Sequence, residues 1–304
     1  MKKIIGFIRI YFMETDESVL AWCSLLITIM IFCNYEFGID RWISHHDMFL
    51  QRFVFRYILS LVAFMVPYVF YQLKKPTGYF QTPLFIPMLV LAPAIFTLKM
   101  ALVYDFRIVD DIQLNHYWNR VIFWPFRLAM ISTIFFLIWK KFYRGSSFFG
   151  LTVKNFEWKP YAWMLAIMLP LVAAASSQPD FLHVYPKLKM VENDINNLTP
   201  GWLYKLLFEL SYGSDFISIE LFFRGFLILG FLKWVGKDAI LPMACFYCTI
   251  HFGKPLGECI SSWFGGILLG IVVYHTRSIF GGLMVHLGIA WLMELGGYIG
   301  NAMI

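Results

Sequence analysis

An all-α, polytopic transmembrane helix bundle of about eight or nine spans is the fold class this sequence predicts, and three observations predict it. Hydrophobic residues make up 60% of the chain and charged residues only 14%, against about 25% charged in an average soluble domain. Apolar runs recur along the whole length, most of them near the roughly 20 residues that cross a bilayer as a helix. Basic residues cluster beside alternate runs, the charge asymmetry that membrane insertion produces.

The runs fall at 18–35, 53–72, 82–103, 121–139, 160–176, 213–232, 239–252, 257–274 and 279–299, with 160–176 and 239–252 the shortest. Lys2, Lys3 and Arg9 precede the first, and Lys74 and Lys75 follow the second. Lys140, Lys141 and Arg144 follow the fourth, Lys233 and Lys237 the sixth, and Arg277 the eighth. All fall on one side if the N-terminus is cytoplasmic, and the opposite connections, with Asp105, Asp110, Asp111, Asp180, Glu192 and Asp194, are richer in acids. The formal charge of +6 follows from topology and from anionic membrane lipid, and it does not point to nucleic acid. The start "MKKIIGFIRIYF" has a short apolar run with no small-residue cleavage site after it, so it reads as an interfacial segment and not a cleaved signal.

Three regions are expected: an N-terminal transmembrane region over 1–176, a polar loop over 177–200, and a C-terminal helix bundle over 201–304. Nearly all the chemistry lies in the last. The five cysteines, Cys23, Cys33, Cys245, Cys248 and Cys259, sit in apolar runs and read first as small buried hydrophobes, with a zinc site on Cys245, Cys248 and His251 as the alternative. His45, His46 and Asp47 read as a solvated connection. "NLT" at Asn197–Thr199 is a glycosylation sequon, meaningful only in a eukaryotic lumen.

Within "ISIELFFRG", Glu220 and Arg224 stand four residues apart in a run that is otherwise hydrocarbon. A charge at the centre of a spanning helix costs about 2.5–3.5 kcal/mol on insertion scales, so such residues face the bundle interior and find partners. The pair alone is consistent with a structural ion pair across one helix face. It is not alone: "FYCTIHFGKPLGE" supplies His251, with Lys254 and Glu258 after a Gly and Pro break, and "GGLMVHLGIAWLMEL" supplies His286 and, two turns on, Glu294. With spans drawn as above, Glu220, His251 and His286 are expected at a common depth. One carboxylate and two imidazoles can activate water for hydrolysis, hold a metal, or donate to an oxyanion. Small-residue faces at Gly266, Gly270, Gly281, Gly282, Gly288, Gly296 and Gly300 would let the helices approach closely.

In order and spacing these elements resemble the CAAX prenyl protease-like and bacteriocin-processing membrane proteases, the CPBP or Abi family, over roughly 200–300. The family's E-E-x-x-x-R followed by Gly is similar to "IELFFRG", its F-x-x-x-H to "YCTIH", and its H-x-x-x-N or D to "HLGIA". Ile219 stands where the family has its first Glu, Tyr247 where it has Phe, and Ala290 where it has Asn or Asp. The resemblance implies an intramembrane endopeptidase, metallo- or glutamate-type, that uses activated water on a membrane-presented or lipid-modified peptide. It implies Glu220 as base, His251 as its partner at the water, His286 as oxyanion stabiliser or ligand, and Arg224 as the ion that keeps Glu220 charged and oriented. Glu258, Tyr247 and Glu294 are secondary candidates, and zinc on His251 and His286 is the cofactor to test. The family also implies a prokaryotic cytoplasmic membrane. The other reading is a catalytically inactive relative acting as a membrane immunity or scaffold protein; a transporter is disfavoured because no paired halves appear.

Overall fold

The computed structural model describes residues 2–76, 78–154, 156–196 and 198–303, and among these every regular element is helical. In chain order the helices are α1 (Lys2–Glu14), α2 (Glu17–Phe37), α3 (Ile39–Ser44), α4 (Phe49–Lys74), α5 (Phe85–Ala101), α6 (Ile112–Phe142), α7 (Lys159–Ala175), α8 (Pro179–Val184) and α9 (Glu192–Ile195). They continue with α10 (Gly201–Glu220), a π-helical segment (Leu221–Gly230), α11 (Leu232–Val235), α12 (Ile240–Thr249), α13 (Leu256–Thr276) and α14 (Phe280–Ala302). The sequon's Asn197 lies outside the described residues.

Five of these helices, α2, α4, α6, α13 and α14, are long and apolar enough to cross a membrane, and α5 and α7 are shorter apolar helices. The chain is an integral membrane protein. Five is fewer than the eight or nine spans expected, and the difference lies in particular elements. α5 and α7 are 17 residues each, the run at 213–232 is divided between α10 and the π segment, and the run at 239–252 forms only the 10-residue α12.

The helix ends follow local chemistry. The Asp16 side chain accepts from the amides of Ser18 and Val19 at 2.9 and 3.3 Å and starts α2. Gly38 ends it with φ +62°, a conformation that carries no Cβ penalty at glycine. Pro67, Pro93, Pro125 and Pro170 sit inside α4, α5, α6 and α7. Membrane helices tolerate this because neighbouring groups re-satisfy the freed carbonyls.

The chain folds as two compact units. The first comprises Met1–Leu102, Phe142–Lys154 and Leu221–Ile279. Its core is aromatic: Phe96 meets Phe222 and Phe223 at 4.6 and 4.9 Å, and Phe246 meets the same two at 5.6 and 5.2 Å, mostly edge to face. Gly225 lets the π segment lie against the main chain at Phe149, where a Cβ would come within 2.7 Å of the Phe149 carbonyl.

The second unit comprises Val103–Lys141, Asn155–Glu220 and Phe280–Ile304. Its main cluster buries Tyr117, Trp124, Phe208, Tyr212, Phe216 and Ala290 together with Leu188, Val191 and Ile195. The last three come from the polar 177–200 stretch, which thus forms short helices and contributes side chains to the core.

Candidate active site

In the second unit α10 and α14 are matched turn for turn. Phe216 and Glu220 are four residues apart on α10, so they share a face, and both engage His286 of α14. The Nδ1 of His286 lies 2.9 Å from Glu220 Oε1. The Phe216 ring meets the imidazole edge to face at 4.7 Å. One turn before His286 on α14, Gly282 makes room for the carboxylate: a Cβ there would sit 2.5 Å from Glu220 Oε2. Glu220 is fully buried, while the side chain of His286 keeps 13% exposure. A carboxylate only accepts, so the proton of the neutral ring belongs on Nδ1 and the lone pair on Nε2. The result is a carboxylate–imidazole dyad whose imidazole is the more accessible member.

Ile219 and Ala290, the two positions where the motif resemblance leads one to expect a polar residue, fall in one hydrophobic cluster. Ala290 is buried within it and Ile219 packs against it with Leu283 and Leu287. The two departures are therefore spatially coherent: hydrocarbon occupies both places.

The first unit holds a different set. Arg224, in the π segment, is fully buried, and its guanidinium carbon lies 4.0 Å from the centre of the Tyr247 ring. That geometry gives a cation the negative face of an aromatic ring. Tyr247 also meets His251, one turn on, at 4.7 Å, and its main-chain carbonyl lies 3.0 Å from His251 Nδ1. A carbonyl accepts, so here too the neutral ring carries its proton on Nδ1 and its lone pair on Nε2. The sequence argument that residues four apart share a face holds for an α-helix, and it does not carry past Glu220, since Leu221–Gly230 is π-helical.

The secondary candidates have other neighbours. Glu258, in the first turn of α13, lies 3.5 Å from Lys254 Nζ. Glu294 is buried and accepts the Lys187 amide at 2.9 and 2.7 Å through its two oxygens. Cys248 lies 3.9 Å from Cys259 through sulfur, and His45 Nδ1 contacts the Arg41 carbonyl at 2.7 Å. Among the described residues no group of three or more His, Cys, Asp or Glu side chains gathers into a metal-binding set. Neither zinc expectation gains a ligand set, and no step below runs through a metal.

Two features escaped the sequence reading. Lys99 is buried in α5 with its ammonium 4.9 Å from the centre of the Phe96 ring. Asn34 is buried near the end of α2. Both are polar residues inside apolar runs, the signal that singled out Glu220.

Residues 210–292 match the family model described as Rce1-like, the type II CAAX prenyl endopeptidase Rce1-like family. Over this segment the chain is similar to the CAAX proteases. The segment contains Glu220, Arg224, Tyr247, His251, Glu258 and His286, and it ends before Glu294. No curated protein and no solved structure matches the chain. The CAAX protease-like segment thus carries His251 and His286 together with the buried Glu220 and Arg224.

Proposed function

We propose that this chain is an intramembrane endopeptidase that hydrolyses a peptide bond in a membrane-presented or lipid-modified polypeptide. The observation that carries the reading is the buried Glu220–His286 dyad, formed by motif positions within the CAAX protease-like segment. The dyad has the parts of a general base. His286 Nε2 takes a proton from water as the water oxygen attacks the scissile carbonyl, and Glu220 holds the ring and stabilises the imidazolium. The same proton is then delivered to the leaving nitrogen as the C–N bond breaks. Sequence reasoning gives the base role to Glu220 itself. Full burial of the carboxylate and partial exposure of the imidazole favour proton transfer through the ring.

Arg224, Tyr247 and His251 are assigned to the same reaction on their motif positions, with His251 Nε2 as a hydrogen-bonding group for water or the carbonyl oxygen. The membrane-anchored peptide is the partner, together with the surrounding lipid.

A second reading has its own observation. Ile219 and Ala290 put hydrocarbon at two polar family positions, as an inactive relative serving as an immunity or scaffold protein would. Cleavage of a panel of membrane-anchored peptides by full-length protein in lipid nanodiscs decides between them. Wild type is expected to cleave, and Glu220→Gln and His286→Ala to lose roughly 10³-fold or more in kcat, the order seen when a dyad is disrupted. A silent wild type with cleavage appearing in Ile219→Glu would instead establish the inactive reading.

A further inference from the structure

The turn that follows His251 is held from the N-terminal part of the chain. Its amides bond inward: His251 N–H donates to Cys248 O at 3.0 Å, and Lys254 N–H to His251 O at 3.0 Å. Its outward carbonyls are taken by α2. Asn34 Nδ2 donates to Phe252 O at 2.9 Å, and the Tyr35 hydroxyl to Lys254 O at 2.6 Å. Between them, Gly253 lies so close to α3 that a Cβ would come within 2.8 Å of Asp40 Oδ2.

Asn34 is the centre of this arrangement because it faces two ways. Its side-chain oxygen accepts the Asp40 amide at 2.9 Å, and its main-chain carbonyl accepts the Gly38 amide that ends α2. Asp40 is fixed in turn by Arg56 Nη1 at 2.9 Å. One buried amide therefore joins the end of α2, the start of α3 and the residue next to His251. An amide that both donates and accepts fits this place, since a carboxylate would face the Phe252 carbonyl without a proton to give. An apolar side chain would leave the buried Phe252 carbonyl and the partly buried Asp40 amide without this partner.

We propose that Asn34 is a positioning residue for His251: it sets the height and tilt of the imidazole by fixing the main chain immediately after it. The inference rests on the reading that His251 takes part in the hydrolysis. A misplacement of about 1 Å at a reacting group can cost on the order of 100-fold in rate, so the clamp matters to turnover beyond its share of stability.

The test uses full-length protein in nanodiscs, with Asn34→Leu, Asn34→Asp, Tyr35→Phe and a control, Thr15→Val. The control removes the buried Thr15 hydroxyl bond to Tyr11 O, 2.7 Å long and remote in sequence from the turn. Asn34→Leu and Asn34→Asp are expected to lower kcat by about 10- to 100-fold at unchanged KM, with a smaller loss in Tyr35→Phe and none in Thr15→Val. Hydrogen exchange of the amides at 251–254 should quicken in the Asn34 variants and not in Thr15→Val. Wild-type kcat in Asn34→Leu, or equal losses in Asn34→Leu and Thr15→Val, would overturn the proposal. If wild type cleaves nothing, the endopeptidase reading fails by itself and exchange decides the clamp. Faster exchange confined to the Asn34 variants supports it, and unchanged exchange removes it.

Discussion

Two imidazoles of the CAAX protease-like segment, those of His251 and His286, are oriented through the same ring nitrogen by unlike acceptors. His286 in the second unit is held by the Glu220 carboxylate and edged by Phe216, while His251 in the first unit is held by the Tyr247 carbonyl and edged by the Tyr247 ring. An anionic side chain can stabilise a positive imidazolium as it forms; a main-chain carbonyl supplies a fixed dipole and little more. On the proposed mechanism, the comparison separates a group suited to accept a proton from one suited to stay neutral and orient. It also separates the supports, since the first depends on glycine space at Gly282 and the second on an aromatic ring shared with a buried cation.

The largest effect on stability is expected where that ring is shared. Tyr247→Leu uncovers the buried Arg224 guanidinium and leaves a gap beside His251, and should destabilise by about 3 kcal/mol, read by denaturant unfolding in detergent. A change below about 1 kcal/mol would show that the ring does not support the cation. Gly282→Ala should have an intermediate effect, about 1–2 kcal/mol from overpacking. Because the new methyl meets the carboxylate, cleavage should fall by roughly tenfold or more even where the protein remains folded. Wild-type turnover in Gly282→Ala would mean that the dyad tolerates displacement and does not set the rate. The smallest effect belongs to Glu294→Gln, which keeps one acceptor oxygen for the Lys187 amide and should cost about 0.5–1 kcal/mol. Exchange of the 187–190 amides should quicken while cleavage stays at the wild-type level, and a large loss of cleavage would return Glu294 to the machinery.

Much of this was legible in the sequence because a bilayer penalises polar groups so heavily. The penalty makes Glu220, Arg224, His251 and His286 stand out from hydrocarbon, and composition together with the recurrent apolar runs points to an all-helical membrane protein. What the sequence could not supply is partner choice. Helical spacing offers Glu220 a neighbour in Arg224, four residues on, but gives no hint that Glu220 Oε1 meets Nδ1 of His286, 66 residues away. The π-helical turn has no marker in "LFFRGFLILG", since its hydrophobic content suits an α-helix equally well. Asn34 was visible as an amide in "IFCNYEF", but its bond to Phe252 lies 218 residues off in sequence and no local pattern announces it. Glu294 shows the reverse case, a carboxylate in an apolar helix whose buried partner is a main-chain amide and not a catalytic group.

The way α14 grips the 177–200 stretch has a consequence for how that stretch can change over time. Glu294 holds the Lys187 amide, and Asn301 Nδ2 donates to the Tyr185 carbonyl at 2.9 Å. Both contacts read peptide groups, so at the half-buried Lys187 they exclude only a proline, which would have no N–H to give, while Tyr185 is held separately by its burial with Phe181 and Leu182. The surface of this stretch is thereby open to mutational drift while its path stays anchored, and sequence variation there can accumulate without loosening the helix beneath it.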